Sequence, residues 1–179
     1  DSGLSLLGNS LYHGRDNLTI AFGAVVEDAY GGIGDDVLLG NGVGNHLVGN
    51  AGNDQLDGGG GNDYLVGGIG DDHLDGGEGF DFAMFGDSAS GVSVDLSIGA
   101  ASSASIGRDT LVSIEGATGA EGNDFFVGTG GGNIFYGYGG DDTVLHSGGS
   151  DYFDGGSGHD TLTGFGLRRE YGNISLGGG

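Results

Sequence analysis

The chain has 179 residues with 47 glycines and no Cys, Pro or Trp; without cysteine, disulfides cannot stabilise it, and glycine at that level taken alone predicts a flexible linker. Four Lys plus Arg stand against 26 Asp plus Glu, a formal net charge of −22. That balance excludes a nucleic-acid surface, disfavours an anionic membrane, and leaves a compact form that repels itself unless cations neutralise it; no apolar run is long enough for membrane insertion.

In chain order, residues 1–30 are expected to supply N-terminal capping strands, from the apolar run Leu18-Thr19-Ile20-Ala21-Phe22. An uncapped solenoid end would expose core and strand edge. Residues 31–84 then repeat every nine residues, six units without a gap. Their sixth positions are Asp36, Asn45, Asp54, Asp63, Asp72 and Asp81, and their eighth are Leu38, Leu47, Leu56, Leu65, Leu74 and Ala83. Loop glycines recur with the same period: Gly31, Gly32 and Gly34; Gly49 and Gly52; Gly58, Gly59 and Gly61; Gly67, Gly68 and Gly70; Gly76, Gly77 and Gly79. A disordered linker keeps no such register.

Residues 85–118 read as a spacer: a strand over 92–98, where apolar and polar residues alternate, a small polar loop from Gly99 to Gly107, and a second capping strand at Leu111-Val112-Ser113-Ile114. Val26-Glu27-Asp28-Ala29-Tyr30-Gly31 aligns with Ile114-Glu115-Gly116-Ala117-Thr118-Gly119, so the chain reads as a tandem duplication. Residues 119–163 form a second block of five units, with Asp124, Asn133, Asp142, Asp151 and Asp160 at position six and Phe126, Phe135, Val144, Phe153 and Leu162 at position eight. Residues 164–179 read as an irregular tail. No stretch has helical periodicity.

The nonapeptide Gly-Gly-x-Gly-x-Asp-x-apolar-x resembles the repeat of the repeats-in-toxin (RTX, haemolysin-type) calcium-binding proteins. The resemblance implies an all-β fold, a parallel β-roll in which two units make one coil and units of the same parity stack on one face. Glycines permit the turns, and the apolar residue of each short strand points inward. Loop carbonyls and carboxylates facing across successive coils give an all-oxygen cage for a hard divalent cation. Pairing each unit with the next but one predicts about seven calcium ions. The lead-in from Leu18 to Gly32 and the first repeats further resemble the roll of serralysin-type secreted metalloproteases. The second copy is similar to longer RTX exoproteins and adhesins.

The chain carries no His-Glu-x-x-His motif. His13, His46, His73, His146 and His159 fall at unrelated repeat positions and read as surface residues, not zinc ligands. Asp57, Asp75 and Asp154, at position nine, read as solvated. No catalytic arrangement emerges. The expected function is therefore non-enzymatic: an extracellular or cell-surface module that leaves by the type I secretion machinery, folds on calcium, and stabilises or displays an attached domain of a larger exoprotein. The alternative is a surface-layer, adhesive or polysaccharide-binding array, for which Tyr64, Tyr136, Tyr138 and Tyr152 are the candidate contacts to a cell-surface polysaccharide.

Overall fold

The computed structural model describes residues 27–164 and, for backbone, Ser10–Leu11 and Ile174–Ser175. The expected caps over residues 18–22 and most of the tail lie outside the described residues. Among those described there is no helix, and the strands form two sheets. One sheet runs β1 (Ser10–Leu11), β2 (Asp28–Tyr30), β4 (His46–Ala51), β6 (Tyr64–Ile69), β8 (Phe82–Met84), β12 (Gly116–Thr118), β14 (Ile134–Tyr136), β16 (Tyr152–Asp154) and β18 (Ile174–Ser175), all parallel. The other runs β3 (Val37–Asn41), β5 (Gln55–Gly59), β7 (His73–Asp75), β11 (Gly107–Val112), β10 (Ala100–Ser103), β9 (Ser93–Asp95), β13 (Phe125–Val127), β15 (Thr143–His146) and β17 (Thr161–Gly164).

Within each repeat block successive strands alternate between the sheets, so one coil spans two units and every side chain meets its counterpart 18 residues on: Leu38 pairs with Leu56, Leu47 with Leu65, and Phe135 with Phe153. The eighth position is the core. Leu38, Leu47, Leu56, Leu65, Leu74, Ala83, Phe126, Phe135, Val144 and Phe153 are buried, with Leu162 packed against them. Each such leucine or phenylalanine contributes about 1.5–3 kcal/mol by leaving water. Ala29 and Ala117 hold the same position in coils that begin without a consensus loop.

Loops between the sheets depend on the glycines. The fourth position has φ of +135° at Gly52 and +106° at Gly61, a region that side chains with a Cβ enter only with strain. Tyr138 and Asn50 take φ of 70° and 76° at the second position, where Gly59, Gly68, Gly77 and Gly156 also have positive φ.

Between the blocks the structure departs from the sequence reading. The segment from Gly99 to Gly107, expected to be a loop, contains β10, antiparallel to β9 on one side and β11 on the other. Its small residues carry no periodic signal, yet backbone pairing on both flanks and burial of Ala101 make it a strand. Residues 111–114, expected to cap a second roll, run inside the stack. Leu111 pairs with Leu74, and Leu111 and Ile114 are buried. On the first sheet β12 joins β8 directly to β14, so that sheet passes from one block to the other without a break.

Candidate metal centre

The sixth positions form two columns, one along each edge of the roll. Asp36, Asp54 and Asp72 lie on the first edge with Asp124, Asp142 and Asp160; Asn45, Asp63 and Asp81 lie on the second with Asn133 and Asp151. Within a column each side chain reaches back to the coil before it. Asp54 Oδ1 accepts the N–H of Asp36 at 2.7 Å, Asp72 Oδ1 that of Asp54 at 2.7 Å, Asp63 Oδ1 that of Asn45 at 2.6 Å, and Asp81 Oδ1 that of Asp63 at 2.7 Å. The second block repeats the pattern: Asp142 to Asp124, Asp151 to Asn133, and Asp160 to Asp142, at 2.8, 2.9 and 3.1 Å.

That leaves the second oxygen. In Asp54, Asp63, Asp72, Asp81, Asp142 and Asp160, Oδ2 is buried with no hydrogen-bond partner. It points at the first-position glycine of its own loop. A Cβ on Gly49 would collide with Asp54 Oδ2 and stand 2.6 Å from the carbonyl of Gly67 in the next coil; one on Gly58 would collide with Asp63 Oδ2 and stand 2.8 Å from the Gly76 carbonyl. Gly31 sits likewise against Gly49 O and Asp36 Oδ2, Gly67 against Asp72, and Gly76 against Asp81. Gly59, Gly68 and Gly77, and Gly52, Gly61, Gly70 and Gly79, contribute turn conformations of positive φ. Gly32 donates its N–H to Asp36 Oδ2 at 2.6 Å, whereas Gly34 faces open space.

Buried anionic oxygens without donors are costly, and the group responds by holding a proton or a cation. Burial pushes Asp63 and Asp72 up to about 6 and Asp142 up to about 7, against the pull of the N–H groups they cap; Asp54, Asp81 and Asp124 are raised for the same reason. Neighbouring carboxylates add to the rise, as Asp36 does at Asp54. No group of three or more His, Cys, Asp or Glu side chains suited to a metal occurs among the described residues. A cation here would therefore draw on loop carbonyls as well as carboxylates. Unpartnered carboxylate oxygens and carbonyls of the next coil fit a hard ion of the calcium type.

Three features escaped the sequence reading. Position five forms a second ladder, in which Asp35 caps the N–H of Asn53, Asn53 that of Asp71, and Asn123 that of Asp141. Glu115, read as part of a cap, stands at position six of the second edge, with Oε2 accepting the N–H of Asp81 at 3.0 Å. Asp109 stands at position six of the first edge, with Oδ1 accepting the N–H of Asp72 at 3.0 Å. A signal for Asp109 was present: Ile106-Gly107-Arg108-Asp109-Thr110-Leu111 mirrors Ile69-Gly70-Asp71-Asp72-His73-Leu74.

A parallel solenoid with carboxylates stacked along its turns is a cation-binding β-roll. The family model of the RTX calcium-binding nonapeptide repeat, four copies, matches residues 48–83, 118–153 and 147–166. Those segments are RTX calcium-binding repeats, and the solenoid they build is an RTX β-roll. Comparison with curated proteins gives no match. Part of the lead-in that carries the likeness to serralysins falls outside the described residues.

Three units depart from the pattern in ways that grade the sites. Asn45 and Asn133 use Oδ1 to cap the N–H of Asn41 and Thr129 in their own loops. In the unit that starts at His146 an imidazole replaces the first-position glycine, with Nδ1 2.7 Å from Asp151 Oδ2, the oxygen left unpartnered in six other units. Asn45→Asp should therefore lower the calcium midpoint of folding by roughly two- to fivefold, the effect of about 0.5–1 kcal/mol from one added carboxylate. Asn133→Asp alone should do less, and adding His146→Gly should restore the gain. Calcium titrations of the three variants by circular dichroism check the order; equal shifts for Asn45→Asp and Asn133→Asp would contradict it.

Proposed function

We propose that this chain is a calcium-triggered structural module: without calcium it is an open acidic chain, and with calcium it closes into a rigid roll that stabilises or displays an attached domain. The observation that carries the reading is the set of buried, partnerless Oδ2 atoms, recurring at one repeat position on both edges of the roll. About seven divalent ions would reduce the formal charge from −22 to about −8. RTX repeat proteins are typically secreted by type I systems. We take this chain to follow that route, open at cytosolic calcium and closed outside at about 10⁻⁴–10⁻³ M.

The aromatic residues support the structural role. Tyr64 stacks on Phe82 with centroids 5.6 Å apart, Phe82 on Tyr136 at 6.3 Å, and Tyr136 packs against Tyr152 at 5.8 Å. Phe82 lies over Gly116 to do so. These rings pack on one another across the junction of the blocks, which ties the blocks together, while Tyr64 stays 47% and Tyr138 48% exposed. Circular dichroism at neutral pH with excess chelator and then with millimolar calcium tests the proposal. The β signal should appear only with calcium, and a spectrum indifferent to chelator would refute it.

A further inference from the structure

The joint between the two repeat blocks lies outside every segment that matches the repeat family, and Asp109 falls within it. Its carboxylate is nonetheless built into the first-edge column. Asp109 is 4% exposed, and its Oδ2 is buried without a partner, as in the consensus aspartates. The backbone around it repeats the consensus contacts one by one. Gly70 N–H bonds to Ile106 O at 2.9 Å, as Gly52 N–H does to Ile69 O; Arg108 N–H bonds to Asp71 Oδ1 at 2.9 Å, as Asp71 N–H does to Asn53 Oδ1; Thr110 N–H bonds to Asp72 O at 2.8 Å, as His73 N–H does to Asp54 O. Gly107 takes φ of +92° at the position where Gly70 has +147°.

Only half of the loop is copied. The chain reaches Gly107 from β10, in the same sheet, and does not cross over from the opposite sheet, so the consensus first-position glycine has no counterpart: the three atoms nearest a Cβ on Gly67 all belong to Asp72, where Gly49 and Gly58 also meet a carbonyl of the next coil. The result is two successive buried carboxylates of one column, Asp72 and Asp109, each with one oxygen that no donor satisfies. Ionised at neutral pH, such a pair calls for a cation between its members.

We propose that loops 67–72 and 106–109 hold a calcium ion of their own, which joins the two repeat blocks across the inserted hairpin strands. The proposal rests on the β-roll reading and adds one site to those counted from the repeats. With fewer loop carbonyls, and with Arg108 where the preceding coil has Asp71, this site binds more weakly than the consensus sites and fills last.

The test is calcium binding by equilibrium dialysis on the whole chain, followed to saturation. Asp109→Asn keeps an oxygen to cap Asp72, and asparagine already occupies position six at Asn45 and Asn133, so the variant should fold and bind its last ion severalfold more weakly. Asp95→Asn, outside both columns, should match the wild type at every step. A folded Asp109→Asn protein with an unchanged weakest step overturns the joint site; if Asp54→Asn weakens a stronger step in the same assay, the roll reading itself still stands. Should Asp109→Asn not fold, Arg108→Asp decides. It restores the acidic residue of the neighbouring coil and should tighten the weakest binding step severalfold, and an unchanged weakest step overturns the proposal.

Discussion

Stripped of calcium, the protein should be most folded near pH 4 and should open as the pH rises through about 6 to 7. The cause is the unpartnered oxygen of each ladder carboxylate. Asp63 and Asp72 are raised from 3.8 to about 6, and Asp109 and Asp142 to about 7, chiefly by burial. A carboxyl whose folded-state pKa lies above its unfolded value binds more protons folded than unfolded. Its stabilisation of the metal-free roll is therefore complete below about 3.8 and is lost as the pH climbs through 6 and 7. The same shift opposes calcium at low pH, because the ion must displace those protons. With several such groups, the metal-free roll should lose on the order of several kcal/mol between pH 4 and pH 8. Saturating calcium should abolish that loss, because the ion takes the place of the protons. Circular dichroism against pH, with chelator and with millimolar calcium, reads both arms, and sedimentation controls for association near the sequence pI of about 4.1. A chelated protein more folded at pH 8 than at pH 4 would contradict the argument.

The parts of this structure legible in the sequence are those that every repeat states again. Leu38, Leu56 and Leu74 each mark an inward strand, and a nine-residue period with two units per coil fixes which side chains stack. Asp54 and Asp142 were placed at facing positions by the same count. The direction in which each carboxylate reaches was not legible, because periodicity does not distinguish a bond to the coil before from a bond to the coil after. The joint was opaque for another reason. Ala100-Ala101-Ser102-Ser103 has no apolar pattern, and only pairing with β9 and β11 makes it a strand. Asp109 sits 37 residues from Asp72 and Glu115 sits 34 from Asp81, so both fall out of an 18-residue register that holds elsewhere. Glu115 aligned with Glu27 in the duplication, but the missing loop glycines concealed that it occupies position six.

The direction of the ladder ranks aspartates that the repeat makes equivalent. Asp36 accepts only from Gly32 in its own loop, and no inter-coil N–H is given to it among the described residues. Asp54 accepts the N–H of Asp36 and presents a free inner oxygen, and Asp142 does the same for Asp124. Asp160, at the far end, still caps Asp142. Alanine at 54 or 142 thus leaves a buried backbone N–H without an acceptor, a cost of about 1–3 kcal/mol, and removes a carboxylate flanked by column members on both sides. Alanine at 160 orphans an N–H but affects the cation on one side only, while alanine at 36 orphans none between coils among the described residues. The calcium midpoint should therefore shift most for Asp54→Ala and Asp142→Ala, less for Asp160→Ala and least for Asp36→Ala. The two ends of the ladder are not equivalent, because the inter-coil caps run from each aspartate toward the N-terminal coil. Asp54→Ala combined with Asp72→Ala should be less than additive, since both residues act on one cation and Asp72 Oδ1 caps the N–H of residue 54. Circular dichroism titrations of the four single variants and the double variant give the ranking. Equal shifts at Asp36 and Asp160 would mean that the carboxylates act through charge alone and that the inter-coil caps contribute nothing.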